Sequence, residues 1–190
     1  GGASGYLAIM ALWGFPQVVM RPSALVLNLF VSAIGFYQFY RAGHFRWKLF
    51  WLFAVASVPM AWLGAQVVLD PLVYKRILAV CLLIAVARML GLFGKSEGEQ
   101  RAIQLPVALA VGAVLGFFSG MIGIGGGILL SPLFLLARWA DAKQTAAISA
   151  AFIFVNSVSG LTGALGRGET IDITMWPFVI VAVLGGLLGG

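Results

Sequence analysis

The sequence predicts an all-α polytopic membrane protein, built from two inverted-topology repeats whose helices are broken at glycine-rich stretches. Three observations support this prediction: the composition, the spacing of the apolar runs and a similarity between the two ends of the chain. Apolar residues make up 62% and charged residues 9% of the 190 residues, and the mean hydropathy is +1.04. Because a soluble domain carries about 25% charged residues, this chain has too few charges to cover a globule in water.

The charged residues and the single cysteine and histidine exclude several classes of function. The net charge of +6 comes mostly from Lys and Arg in short breaks between apolar runs, where such residues orient helices and meet anionic headgroups. That placement favours contact with the lipid bilayer and argues against a nucleic-acid partner. Cys81 lies in an apolar run and His44 in a loop-like stretch, so we expect no metal site, no cofactor and no disulfide.

Three full-length apolar spans are predicted in the first half of the chain, since a transmembrane helix needs about 20 mostly apolar residues. They cover residues 22–41, with Arg21 at the outer edge, then 47–69 and 72–93. The segment 94–104 follows and begins with the hydrophilic run GKSEGEQR. We predict that it is a cytoplasmic loop connecting the two halves.

The second half is predicted to contain four more apolar segments. Two have the length of full spans, 105–122 and 143–166, and a last one begins at 173 and runs to 190. The segment 126–138 is shorter, near 20 Å at about 1.5 Å per residue. It is therefore predicted to be a half-span or a strongly offset helix.

The two halves resemble each other when the chain is shifted by 125 residues. The shift aligns the first 65 residues with the last 65 without gaps and gives ten identities, carried mainly by glycines and a tryptophan. The aligned pairs include Gly1 with Gly126, Gly2 with Gly127, Ser32 with Ser157, Gly35 with Gly160, Gly43 with Gly168 and Trp51 with Trp176. The predicted repeats are 1–93, expected to lack its first helix, and 105–190, expected to be truncated at its C-terminal end, so the chain is taken as a fragment.

The number of apolar segments between equivalent loops predicts that the repeats are inverted. Five segments separate Gly43 from Gly168, and an odd number of crossings places these loops on opposite sides of the membrane. If 105–122 and 126–138 form a re-entrant hairpin, three crossings remain and the parity is unchanged. The loop around residues 41–48 carries three cations, which places it in the cytoplasm by the positive-inside rule.

The glycines in and just before the stretch GFFSGMIGIGGGILLSPLF, residues 116–134, fall into two groups. Gly112, Gly116 and Gly120 recur every four residues, a spacing typical of close helix packing in membranes. A second, denser group predicts a helix break followed by a new helix start; it comprises Gly123, Gly125, Gly126 and Gly127. A helix start offers about four unpaired N–H groups and roughly half a positive charge, so this break is a candidate anion site. A flexible kink packed against a neighbouring helix is the alternative.

Other small polar residues complete the candidate substrate-binding set. Ser119 and Ser131 flank the break, and Gly1 and Gly2 would begin the matching half-helix of the first repeat. Four further residues lie inside apolar runs, where a polar group needs a partner: Asn28, Ser32, Asn156 and Ser157. Either Asn could instead only bond between helices, at about 1 kcal/mol.

The glycine stretch, the following QTAAISAAFIFVNSVSG and the later GRGETID resemble the second repeat of the sulfite exporter TauE/SafE family. RPSALVLNLFVSAIGFYQFYRAGHFRWK is similar to the first-repeat counterpart. The resemblance implies a bacterial inner-membrane permease for sulfite, organosulfonates or other small organic anions. It carries the family signature onto Gly120, Gly123, Gly125, Gly126, Gly127, Pro132, Ser149, Asn156 and Ser157. Leu7 stands where the second repeat has Pro132, so the first half-site departs from the pattern.

The leading functional hypothesis is secondary transport of a small anion by alternating access of the two repeats. The six acidic residues fall in loops or near span ends, which favours uniport or substrate-driven exchange over a proton relay. A membrane-embedded enzyme would need a nucleophile–base pair or metal cluster within a span, and the sequence offers neither, so no catalytic residue is expected. A non-transporting structural or regulatory membrane subunit is the remaining alternative, and self-association into a homo-oligomer is left open.

Overall fold

The computed structural model describes residues 3–91, 100–169 and 176–188. Within these ranges the chain is helical and contains no β-strand, which confirms the all-α class. Gly1 and Gly2, two of the candidate ligands, lie outside the described residues. The helices in chain order are α1 (Ala3–Leu12), α2 (Gln17–Arg41), α3 (Trp47–Ala65), α4 (Pro71–Met89), α5 (Leu105–Ile122), α6 (Gly127–Leu136), α7 (Ala142–Gly166) and α8 (Trp176–Leu188).

Four of the described helices are long and apolar enough to cross a membrane, as predicted from the sequence. They are Val18–Arg41, Trp47–Ala65, Leu105–Ile122 and Ala142–Gly166. Helix α4 is not among them, because Lys75, Arg76 and Arg88 give its 19 residues three charges. Its role as a span therefore stays a prediction.

The predicted start of the first span was wrong. Helix α2 begins at Gln17 rather than at residue 22, directly after Pro16, whose backbone is extended. The N–H groups of Val19 and Met20 donate to the Pro16 carbonyl at 3.0 and 3.1 Å. Arg21 therefore lies about one turn inside the helix and not at the edge of the span.

Helices α3 and α5 pack in parallel along Gly112, Gly116 and Gly120, which we call the glycine ridge. This confirms the predicted close helix contact. A Cβ atom on any of the three ridge glycines would overlap a backbone carbonyl oxygen of α3. The contacting pairs are Gly112 with Phe53, Gly116 with Ser57 and Gly120 with Ala61. Gly64 on α3 makes the reciprocal approach to Phe117 of α5. Any side chain at the ridge would force the two backbones apart.

Helices α2 and α7 run antiparallel and correspond under the shift of 125 residues. Their bounds, 17–41 and 142–166, differ by 125 at both ends. Near one end of the pair, Leu25 lies 3.5 Å from the position of a Cβ on Gly160. Toward the other end, the Ala150 Cβ lies 3.8 Å from the position that a Cβ on Gly35 would take. The shift converts each of these contacts into the other.

The turns that end α2 and α7 contain the same hydrogen bonds. After α2, Gly43 N–H donates to the Tyr40 carbonyl at 3.0 Å and His44 N–H donates to the Phe39 carbonyl at 3.3 Å. After α7, the equivalent bonds measure 2.9 and 3.2 Å; they join Gly168 to Leu165 and Glu169 to Ala164. Gly43 and Gly168 both have positive φ, +74° and +82°. The similarity of the halves thus extends to individual hydrogen bonds.

Helix α6 turns back toward the end of the molecule where α5 begins. The Arg101 N–H, just before α5, donates to the Arg138 carbonyl, just after α6, at 2.8 Å. We call this region the cationic end and define it by Arg46, Lys48, Arg101 and Arg138; a cavity of about 380 Å³ opens there. The opposite end, called the ion-pair end, is defined by Arg21, Val67, Arg167 and Glu169.

Candidate functional site

The dense glycine group, Gly123 and Gly125 to Gly127, interrupts the helix between α5 and α6, as predicted. Helix α5 ends at Ile122 and Gly123, its C-terminal cap, has φ +88°. Gly125 and Gly126 follow with φ +72° and +76°. These left-handed conformations suit glycine and are strained for residues with a side chain. The break therefore depends on the glycines for its shape, and α6 begins at Gly127.

The start of α6 lies beside the middle of α7. A Cβ on Gly127 would touch the Ile153 side chain, and one on Gly125 would lie 3.2 Å from the Ser157 Oγ. Both side chains belong to the central turns of the 25-residue helix α7. Helix α6 has 10 residues and is about 15 Å long at 1.5 Å per residue, which is half of a hydrocarbon core about 30 Å thick. The predicted short segment is therefore present as a helix of half-span length.

Polar side chains from three helices surround this helix start. Asn28 of α2 donates through Nδ2 to the Gly123 carbonyl at 3.3 Å, and Nδ2 lies 3.2 Å from the position of a Cβ on Gly125. Ser157 of α7 approaches Gly125 equally closely. Ser119 of α5 has its Cβ 3.3 Å from the position of a Cβ on Gly126. Three of the predicted side chains thus meet at the break.

Three buried polar atoms on the predicted site residues have no hydrogen-bond partner among the described residues. They are the Ser119 Oγ, the Ser157 Oγ and the Asn156 Nδ2, all on residues with 0% exposure. The other end of the Asn156 amide is used, since its Oδ1 accepts from the Ser57 Oγ at 2.7 Å. A buried polar group without a partner costs about 1–3 kcal/mol. The region around the break therefore holds unused capacity to bind a polar ligand.

Two predicted side chains are engaged elsewhere. Ser131, one turn into α6, donates to the Gly127 carbonyl at 2.9 Å and lies 2.9 Å from the Ser149 hydroxyl. Ser32 donates to the Leu29 carbonyl of its own helix at 3.4 Å. Ser131 is consequently a neighbour of the break rather than a free donor, and no hydrogen bond joins Ser32 to the break.

An aromatic cluster separates the break from the cationic end. The Phe53 ring of α3 lies 4.8 Å from that of Phe134 in α6 and 5.6 Å from that of Trp139, measured between centroids. Phe134 and Trp139 are 5.8 Å apart. Trp139 also lines the cavity at the cationic end. Phe53 and Phe134 are not among the lining residues, so of this cluster, called the aromatic layer below, only Trp139 borders the cavity.

Sequence reasoning missed an ion pair at the opposite end. Arg21 contacts Glu169 through two nitrogen atoms, with 1% and 7% of the respective side chains exposed. The signal that could have drawn attention to Arg21 is Pro16, which starts the helix early enough to place Arg21 inside it. Nothing in the sequence indicates the partner, because the two residues are 148 positions apart.

Metal-ligating side chains do not converge in the part of the chain that the structure describes; no group of three or more His, Cys, Asp or Glu is found there. Cys81 is a free, buried cysteine. The polar atoms at the break are hydroxyls, amides and backbone groups, and the O–H and N–H groups among them can donate hydrogen bonds to an oxyanion.

Comparison with known sequences identifies the family. The model of the family described as Sulfite exporter TauE/SafE matches residues 1–190. The chain belongs to the sulfite exporter TauE/SafE family. It is therefore a membrane transporter-family protein and, with its four candidate spans, a multi-pass protein of the inner (plasma) membrane. The glycine break is thus a feature of a TauE/SafE chain.

Relatives of this TauE/SafE chain are named as probable membrane transporters. One from Sinorhizobium fredii is 37% identical over 196 residues, covering 99% of this chain and 78% of the relative. Another, from Methanocaldococcus jannaschii, is 26% identical over 164 residues, covering 83% of this chain and 60% of the relative. A third, from Bacillus subtilis, is 32% identical over 87 residues, covering 46% of this chain and 30% of the relative. No solved structure matches the chain.

Proposed function

We propose that this protein is a secondary transporter for a small anion, with sulfite or an organosulfonate as the substrate class. The observation that carries the proposal is the start of a short helix beside the middle of α7, where the buried hydroxyls of Ser119 and Ser157 lie close by and have no hydrogen-bond partner among the described residues. The name of the family supplies the sulfur-containing substrate class.

The chemistry around the break favours an anion over a cation or a neutral solute. Backbone N–H groups at a helix start bind negative charge without a buried cation. The hydroxyls of Ser119 and Ser157 and the Asn156 Nδ2 can all donate to an oxyanion. Their desolvation is costly while they are unpaired, and a ligand with several acceptor oxygens would remove that cost. A small oxyanion has this set of acceptors.

The symmetry of the molecule favours alternating access. We infer that the predicted repeats, 1–93 and 105–190, are inverted in their matching parts, α1–α3 and α6–α8, because α2 and α7 pair antiparallel and their contacts interconvert under the 125-residue shift. Inverted repeats with broken helices at the midplane are typical of secondary transporters. Rocking of one repeat against the other would expose the break alternately to the two ends of the molecule.

The orientation in the membrane follows from the charges. The cationic end carries Arg46, Lys48, Arg101 and Arg138. At the ion-pair end Arg21 and Arg167 are both in contact with Glu169, and two further cations, Lys75 and Arg76, lie near the start of α4. By the positive-inside rule we assign the cationic end to the cytoplasm. Its cavity would then attract anions from the cytoplasm toward the aromatic layer.

A flux assay on the purified full-length protein in liposomes tests the proposal. The liposomes are given labelled sulfite, then a panel of sulfonates and carboxylates. Saturable flux of one anion is expected, and Gly126→Ala should reduce it strongly, because alanine is strained at φ +76° and its Cβ would lie 2.9 Å from the Phe152 ring. The matched control is Gly166→Ala, where a Cβ meets nothing within 4 Å. Absence of flux for every anion, under every ion gradient, would favour a structural or regulatory subunit.

A further inference from the structure

The buried ion pair at the ion-pair end holds four parts of the molecule together. Arg21 of α2 contacts Glu169, which follows α7. Its Nη1 also donates to the carbonyl of Val67, after α3, at 3.3 Å, and lies 3.5 Å from the carbonyl of Met121, near the end of α5. One guanidinium group thus joins the ends of α3, α5 and α7 to α2.

Stability does not explain this arrangement. Burying two charges has a desolvation cost that can exceed their mutual attraction, and apolar replacements of buried pairs are often neutral or stabilising. Ionisable groups inside membrane proteins are therefore candidates for function. The pair is also not a consequence of the repeat. Under the 125-residue shift, Arg21 corresponds to Ala146 and Glu169 to His44, so the symmetry-related place has no ion pair.

The ion pair lies next to the glycine break. The Arg21 Cγ is 3.0 Å from the position that a Cβ on Gly123 would take. Gly123 in turn receives the hydrogen bond from Asn28 through its carbonyl. An anion at the start of α6 would therefore have Arg21 between it and the ion-pair end of the molecule. The aromatic layer of Phe53, Phe134 and Trp139 lies on the other side.

A second arginine offers Glu169 an alternative partner. Arg167 Nη1 lies 3.7 Å from the Glu169 Oε1, and the Arg167 side chain is 22% exposed. Both Arg21 and Arg167 donate to the Val67 carbonyl, each at 3.3 Å. A small displacement could transfer the carboxylate from Arg21 to Arg167 while the latter stays in contact with the end of α3.

We propose that the Arg21–Glu169 ion pair is the gate at the ion-pair end, and that the transported anion opens it by competing with Glu169 for Arg21. A sulfite or sulfonate group presents acceptor oxygens to the guanidinium as a carboxylate does. When the anion binds Arg21, Glu169 moves to Arg167 and the link from α2 to the end of α7 is released. The inference rests on the proposed transport function and assigns to Arg21 the recognition of the anion's charge.

Thiol accessibility tests the gate without requiring transport. The full-length protein with Cys81→Ser carries a reporter cysteine, Ser119→Cys, at the glycine break on the inner side of the gate. It is treated with a membrane-impermeant thiol reagent in right-side-out and in inside-out vesicles. Glu169→Gln should raise the labelling rate from the side of the ion-pair end by about tenfold. The control Asp70→Asn removes an exposed carboxylate at the same end and should leave the rate unchanged. The charge-swapped pair Arg21→Glu with Glu169→Arg should restore slow labelling.

Sulfite flux in liposomes tests the competition. Glu169→Gln should lower the KM, because the anion no longer competes with a carboxylate, whereas Arg21→Gln should raise it by about tenfold. If the ion pair were only structural, both variants would change in the same direction, and the change would appear in the protein yield or the maximal rate. Equal labelling of Glu169→Gln and Asp70→Asn, or KM changes of the same sign, would overturn the gate. If labelling responds but no anion is transported, the proposed function and the opening by the anion both fail, and only the closure of this end by the ion pair remains.

Discussion

At Asn156 the carbonyl oxygen of the side-chain amide is hydrogen-bonded, whereas its NH2 group has no partner among the described residues. The Oδ1 accepts from Ser57, whereas the Nδ2 is buried without a partner among the described residues. Asn28, by contrast, already donates to the Gly123 carbonyl. Residues of the same type inside neighbouring spans therefore differ in what they offer a ligand, and the Asn156 amide is the better candidate for contact with the anion.

Asn156→Asp separates ligand binding from helix packing. The variant keeps an acceptor for Ser57 but replaces the Nδ2 donor with a carboxylate oxygen, so we expect the KM for sulfite to rise by about tenfold or more. Gln104→Glu makes the same chemical change at an exposed residue that does not line the cavity, and it should leave the KM nearly unaltered. Liposome flux gives the KM, and detergent melting curves report folding. A normal KM in Asn156→Asp would assign the residue to packing alone.

At the scale of the element, the break between α5 and α6 was predictable and the environment of the break was only partly so. Four glycines in five residues indicate an interrupted helix because each lacks the Cβ that restricts φ. The partners Asn28 and Ser157 could be proposed by residue type. Arg21 could not, because its contacts with Glu169 and Met121 depend on how distant helices pack. Local patterns predict helix ends, whereas long-range pairing requires the assembled fold.

The glycine ridge of α5 should be intolerant of any side chain. Gly116→Ala would bring a Cβ into overlap with the Ser57 carbonyl oxygen, so the parallel helices must separate. We expect a loss of about 1–3 kcal/mol in stability, as for other overpacked sites, seen as a lower melting temperature in detergent. The exposed glycine Gly166 provides the control, since its replacement by alanine meets no atom within 4 Å. Equal melting temperatures for the two variants would contradict the packing.

At the scale of the whole molecule, the correspondence between halves can be tested by cross-linking α2 to α7. In a Cys81→Ser background, the pair Gly35→Cys with Ala150→Cys should form a disulfide, because the 3.8 Å between Cβ positions matches the usual separation of about 3.8 Å. The pair Leu25→Cys with Gly160→Cys tests the symmetry-related contact. Gly35→Cys with Gly160→Cys should not link, since these residues lie toward opposite ends of the helix pair. Mobility shifts on a non-reducing gel, reversed by a reductant, report each outcome.

Inverted topology predicts that equivalent loops face opposite sides of the membrane. Ala42→Cys follows α2, and Gly166→Cys stands at the corresponding end of α7; both residues are exposed. An impermeant thiol reagent should label Gly166→Cys in right-side-out vesicles and Ala42→Cys only in inside-out vesicles. Labelling of both from one side would mean that the 125-residue similarity relates parallel repeats, not inverted ones.

The parallel pairing of α3 with α5 also has a consequence for how the chain is made. Two parallel helices that are separated by one other helix cannot pack until the chain has returned to the side where the first of them began. The face of α3 with Ser57, Ala61 and Gly64 is covered by α5 in the finished protein. During synthesis α5 cannot cover that face until residues 105–122 have left the ribosome and entered the membrane. Until then the face is in contact with lipid or the insertion machinery.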